Sequence, residues 1–127
     1  TWVADTPALD VRLPGLNTYS PRRFMLGSGD PPENWTMLSR PADVAHIPEV
    51  AHVMVEGGAQ TASGFISADL FDRLLLYRAP ILLGAGRPAL GDIGLESLSQ
   101  AHGRWRLSES RMFGQDRLEV YLRERGG

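Results

Sequence analysis

The 127-residue sequence contains no cysteine, which excludes disulfides, thiolate nucleophiles and Cys-ligated zinc together. It has no apolar run long enough for a membrane-spanning helix, and Thr1 to Asp10 does not read as a signal peptide. Net positive charge is missing too: the formal balance is -2, so no general attraction to nucleic acid follows. His46, His52 and His102 lack metal-ligand spacing, and Ser28, Ser39 and Ser63 lack the strained elbow of an activated serine. Trp2, Trp35 and Trp105 read as core or edge aromatics and not as a base-stacking platform. Repeats, low-complexity tracts and interdomain linkers are absent. Together these absences predict a soluble chain with no metal, no covalent catalysis, and neither nucleic-acid nor membrane partner.

The positive content is that of one globular domain over residues 1–127. Apolar residues make up 43% and charged residues 22%, an ordinary ratio that can build a core without staples. The opening Thr1-Trp2-Val3-Ala4-Asp5, without Met or a leading element, leads us to expect an N-terminally truncated domain. Residues 1–21 are punctuated by Pro7, Pro14, Gly15 and Pro21 and read as loop with one short turn. Strands are predicted over Arg22–Leu26 and Asn34–Ser39, with loop or sheet edge from Arg40 to Pro48. The β-branched run His52-Val53-Met54-Val55 predicts a buried strand. A helix follows over Ala59–Leu70, with Ala62, Phe65, Ile66, Leu70 and Phe71 on its apolar stripe. A strand over Arg73–Tyr77, a Gly/Pro-rich loop from Gly84 to Gly94 and a short helix near Leu95–Ala101 come next. Alternation over Arg104–Met112 and Arg117–Arg123 around Phe113-Gly114-Gln115-Asp116 predicts a terminal β-hairpin. The order predicts an α/β fold with a mixed sheet.

The chemistry centres on strand–Glu-Gly-Gly–helix at residues 53–59. A helix N-terminus presents unpaired N–H groups and a positive dipole end, and glycine lets a phosphate approach them closely. Gln60, Thr61 and Ser63 add donors in or near the first turn. Glycines here serve tight strand-to-helix turns more often than phosphates, so the motif alone is a weak signal. Glu56, at the carboxyl end of its predicted strand, either accepts hydrogen bonds from a ligand or caps a neighbouring turn. Asp5 and Arg12 place an acid and a guanidinium on one loop, suited to a polar ligand or to a surface ion pair.

Taken in order, four segments resemble the reductase domain of the bifunctional riboflavin-biosynthesis deaminase/reductase. They are Thr1-Trp2-Val3-Ala4-Asp5-Thr6-Pro7-Ala8-Leu9-Asp10-Val11-Arg12, Val53-Met54-Val55-Glu56-Gly57-Gly58, Asp72 to Pro80 with Leu83-Gly84, and Phe113-Gly114-Gln115-Asp116. The resemblance implies a dihydrofolate-reductase-like fold and NADPH as hydride donor. It also implies reduction of 5-amino-6-(5-phosphoribosylamino)uracil to its ribityl product by a cytoplasmic homodimer. By position, Thr1, Asp5, Ser28 and the run Gly58, Ala59, Gln60, Thr61, Ala62, Ser63, Gly64 contact NADPH. Leu9, Arg12 and Glu56 face the substrate, Arg12 toward its phosphate. No catalytic acid or nucleophile is assigned, because hydride transfer depends chiefly on alignment. Gly27 replaces an acidic residue usual before Ser28, and the family's zinc deaminase domain has no counterpart here. A related NADPH reductase acting on another pterin or pyrimidine, and a non-catalytic nucleotide-binding scaffold, are the alternative readings.

Overall fold

The clearest local instruction in the sequence is the C-terminal alternation, and it folds as predicted. Strand β4 (Trp105–Phe113) turns through Gly114-Gln115 into β5 (Asp116–Arg123). Gly114, at φ 60°, supplies the left-handed first position of this two-residue loop. Strand β3 (Arg73–Arg78) pairs antiparallel with the other side of β5, giving the order β3-β5-β4. A bulge between Leu107 and Glu109 shifts the β4 register, so Glu109 faces Val120 and Arg111 faces Leu118. The computed structural model describes residues 6–125.

Two further strands, β1 (Arg23–Leu26) and β2 (Trp35–Leu38), form a separate parallel pair. The expected mixture of strand directions is therefore present, divided between two sheets. Residues Pro41–His46, expected as loop or edge, form a 3-10 turn opened by Arg40 and Asp43. Asp43 accepts from the backbone N–H groups of Ser39 and Arg40, each at 3.0 Å.

Helix α1 (Ala59–Ser67) begins where predicted and stops three residues earlier. The reason is a left-handed cap at Asp69, φ 56°. Leu70 N–H donates to Phe65 O and Asp69 N–H to Ile66 O, closing the last turn as a Schellman motif. Phe71, expected on the helical stripe, instead stacks on Trp105 with ring centroids 4.5 Å apart. The cap is tied to the sheet by Arg123, whose Nε donates to Asp69 Oδ1 at 2.5 Å. That hydrogen bond holds the Asp69 carboxyl below the usual carboxylate range and pushes Arg123 up.

Residues 52–55 depart most from expectation. They join no strand ladder among the described residues, and Val53, Met54 and Val55 are 45%, 85% and 42% exposed. A β-branched run favours extended backbone, but a strand exists only where a neighbour accepts its hydrogen bonds.

Burial is correspondingly one-sided. Among the described residues, the buried apolar side chains are Phe65, Ile66, Leu118 and Val120, in α1 and β5. The exposed surface totals 10058 Å². A self-contained folded chain of 13.9 kDa is expected to expose about 6,700 Å².

Candidate functional site

Two adjoining hollows of ≈ 520 and ≈ 450 Å³ lie between β1 and the extended segment 53–56. They share Leu9, Phe24, Leu38, Val53, Met54 and Glu56 as walls. The first extends along Pro21 to Arg23 and His52; the second reaches Leu26, Gly57, Thr61 and Phe65 at the start of α1. One end of the groove therefore opens on a helix N-terminus.

That terminus is built to leave its donors open. Gly58 is the N-cap, in extended conformation and with no side chain to bond the first-turn N–H groups. At Gly57 an added Cβ would fall 3.0 Å from Thr61 Cβ and 3.2 Å from its Oγ1. A larger residue there would press on the Thr61 side chain. Glu56 is exposed and lines both hollows, beside this opening. Leu9 lines both as well and holds φ 45°, a left-handed conformation that costs a non-glycine residue about 1–2 kcal/mol. Its carbonyl accepts from Arg23 Nε at 3.4 Å, which fixes the loop against β1.

The structure thus gathers Leu9, Glu56 and Thr61 around one opening, with Gly58 next in sequence to Gly57, which lines it. Other sequence-predicted residues fall elsewhere. Arg12 lies outside the walls, 81% exposed in its side chain, with Nε 3.3 Å from Asp10 Oδ1. Ser28 sits in the exposed turn that leaves the carboxyl end of β1. Ser63 faces the interior: it is buried, and its Oγ accepts from Gly91 N–H at 2.7 Å, tethering the Gly/Pro-rich loop. Gly64 faces Pro41, where an added Cβ would stand 3.6 Å from Pro41 Cγ. Ala59 and Ala62 are half-buried in the helix and Gln60 is exposed. Thr1 and Asp5 lie outside the described residues. Sequence reasoning did not select the apolar walls Phe24, Leu38, Val53 and Met54. Their hydrophobicity was visible, but it pointed equally well to a core.

Parallel strands, a glycine-led helix and a terminal antiparallel hairpin define an α/β protein of the dihydrofolate-reductase-like class. The chain belongs to the RibD C-terminal domain family, whose model matches residues 45–118. It is 34% identical to the riboflavin biosynthesis protein RibD of Mycobacterium tuberculosis, over 93% of this chain and 39% of that protein. It is 36% identical to RibD of Corynebacterium ammoniagenes, over 68% of this chain and 30% of that protein. The chain thus spans well under half of the relatives it matches. Among solved structures, Acinetobacter baumannii RibD superposes with a TM-score of 0.69 at 22% identity. That match covers 98% of this chain and 45% of the other.

Proposed function

We propose that this chain carries the reductase function of riboflavin biosynthesis: NADPH-dependent reduction of 5-amino-6-(5-phosphoribosylamino)uracil to its ribitylamino product. The observation that carries the reading is that Leu9, Glu56, Gly57 and Thr61 line one opening at the start of the helix whose N-cap, Gly58, has no capping side chain. NADPH supplies a hydride to the substrate ribose. The first-turn N–H groups after Gly58 suit a dinucleotide phosphate, with Thr61 beside them. Thr1, Asp5, Ser28 and the remainder of the 58–64 run are assigned to the cofactor by family position. Ser63 in this scheme acts by fixing the neighbouring Gly91 loop, since its hydroxyl is already engaged.

On the substrate side, Glu56 accepts hydrogen bonds from amino or hydroxyl groups and Leu9 presses on the flat pyrimidine. Arg12 takes the phosphate by exchanging its exposed Asp10 partner, an ion pair weak enough to be displaced. The family's cytoplasmic homodimer fits a face on which Leu75 and Tyr77 of β3 and Phe113 of β4 are exposed. Tyr77 and Phe113 lie together there, with centroids 6.3 Å apart.

A titration with NADPH and NADH, read by thermal shift, tests the cofactor assignment. Saturable stabilisation that is stronger with NADPH is the expected result; at a hundredfold excess over Kd it amounts to about 2.7 kcal/mol. No saturable stabilisation by either nucleotide overturns it. For the substrate, Arg12→Ala is expected to weaken a phosphorylated ligand far more than its dephosphorylated counterpart. Equal loss for both favours a related reductase of unphosphorylated pterins or pyrimidines. NADPH binding without oxidation in the presence of substrate favours a non-catalytic scaffold.

A further inference from the structure

Residues Leu9 to Leu13 belong to no helix or strand, yet side chains from further along the chain hold their backbone. The local sequence brings those side chains within reach. Leu13-Pro14-Gly15-Leu16 is a tight turn in which Leu16 N–H donates to Leu13 O at 3.1 Å. Proline in second place and Gly15 in third, at φ 80°, are the signature of type II. The 3-10 turn Asn17–Tyr19 follows and leads through Ser20 toward β1. The chain thus doubles back beside residues 9–13. Ser20 Oγ accepts from Val11 N–H at 3.1 Å. The Asn17 amide, oriented to satisfy its hydrogen bonds, donates to Val11 O at 3.1 Å and to Leu13 O at 3.3 Å. Arg23 Nε donates to Leu9 O at 3.4 Å. Val11 is therefore tied at both its N–H and its carbonyl, between Leu9 and Arg12.

We propose that Asn17, Ser20 and Arg23 are positioning residues for substrate binding. They hold Leu9 and Arg12 at a set separation, so that the leucine meets the pyrimidine while the guanidinium reaches the phosphate. The assignment rests on the substrate-side reading of Leu9 and Arg12 given above. Leu9 keeps its left-handed φ of 45°, a conformation that persists where surrounding contacts over-determine it. The Arg12 side chain meets Asp10 in a surface pair too weak to fix it, so its reach is set by where its backbone is anchored.

Asn17 and Ser20 line neither hollow, so they act through the segment and not on the ligand. Ordering a loop costs conformational entropy, and these ties meet that cost in the free chain, leaving less of it to binding. Losing a tie lowers the fraction of chains with the segment in its binding arrangement, and apparent affinity falls by that same fraction. The selectivity that follows is for a ligand with a flat base at one end and a phosphate at the other. Such a ligand engages both ends of the held segment at once. Arg23 also lines the first hollow, so Ser20 offers the cleaner test.

Backbone relaxation by NMR, followed by ligand titration, tests the proposal. Without ligand, the amide order parameters of Asp10, Val11 and Arg12 are expected near about 0.85 in the parent and below about 0.6 in Ser20→Ala. Unchanged β4 and β5 amides show that the variant is folded. Ser20→Thr keeps a hydroxyl acceptor and is expected to restore the parent values. The ligands are 5-amino-6-(5-phosphoribitylamino)uracil and its dephosphorylated form. Ser20→Ala is expected to weaken the phosphorylated ligand by about tenfold, and Ser20→Thr to recover it. In an Arg12→Ala background, Ser20→Ala is expected to add no further loss of phosphate preference. Unchanged order parameters in both Ser20→Ala and Arg23→Ala overturn the proposal. A loosened segment that binds the phosphorylated ligand as tightly as the parent overturns it too, as does an undiminished loss in the Arg12→Ala background. A parent chain that binds neither ligand overturns the substrate reading and the proposal with it. A binding parent with an indifferent Ser20→Ala overturns the proposal alone.

Discussion

The two halves of this molecule use β-structure in opposite ways. In residues 70–125 each strand of the β3-β5-β4 sheet finds its partner within the chain, and β5 is paired on both sides. Leu118 and Val120 at its centre are buried to 2% and 6% exposure. In residues 6–58 the same kinds of apolar residue stand in extended backbone, yet none reaches burial. Composition does not separate the halves; ladder partners do. A β-branched segment gains its stability from cross-strand neighbours, so without them Val53–Val55 stays exposed.

The sharpest way to break that comparison is to delete equivalent apolar bulk on each side. Leu118→Ala is expected to lower unfolding free energy by about 2–5 kcal/mol, because a buried leucine leaves a cavity. Met54→Ala, at an 85% exposed position, is expected to change it by under about 0.5 kcal/mol. Urea denaturation of both variants checks this, and equal losses would show the N-terminal half to be packed after all.

A smaller effect is expected from the polar network on β5. Glu119 is buried, accepts from Tyr121 Oη at 2.9 Å and lies 3.3 Å from Arg117 Nε and 3.7 Å from Arg78. Glu119→Ala removes the acceptor of the Tyr121 hydroxyl, while Arg117 keeps Ser110 Oγ at 3.0 Å, and is expected to cost about 1–3 kcal/mol in the same assay. Tyr121→Phe should cost less, near about 1 kcal/mol. The hydrogen bond to Glu119 pushes the Tyr121 hydroxyl up, so its contribution is present below the ordinary tyrosine range and lost as pH rises through the raised pKa.

Smaller still is the steric effect at the groove. Gly57→Ala places a methyl group against Thr61 and is expected to leave the unfolding midpoint within about 1 kcal/mol of the parent. Its signature should be functional, a weakened NADPH thermal shift. An unchanged shift would separate the groove from the cofactor.

The slightest contrast concerns pH. Asp43 and Asp69 are both held low, Asp43 by hydrogen bonds from Arg40 and Asp69 by Arg123. Each contribution is complete above the ordinary carboxylate range near about 4 and is lost as pH falls through the lowered folded value. The Asp43 contacts are local, whereas Asp69 joins the α1 cap to β5. Acid titration of stability should therefore be flattened more by Asp69→Asn than by Asp43→Asn. The reverse order would deny the cap its tethering role.

Much of the local architecture could be read from residue order alone. Alternation around Gly114 gave the hairpin, and the stripe through Ala62, Phe65 and Ile66 gave α1. The glycines after Glu56 gave the helix start. Where the reading failed, tertiary contacts decided. The helix ends at Ser67 because Asp69 adopts the left-handed cap and bonds Arg123, a partner 54 residues away. Ser63 serves as an internal tether because Gly91 happens to arrive beside it.

By itself, then, the sequence determined which segments favour helix, strand and turn, because those preferences reside in side-chain shape and in spacing of two or 3.6 residues. It also set the chemistry on offer at Glu56, Gly57 and Gly58. Only the tertiary structure decided that Leu9, Phe24 and Met54 share a wall with Glu56 and Gly57, that Arg12 turns to Asp10, and that residues 52–55 form no strand. The physical reason is that a strand and a binding groove are properties of neighbours. Neighbours distant in sequence are chosen by packing, not by the residues of any one segment.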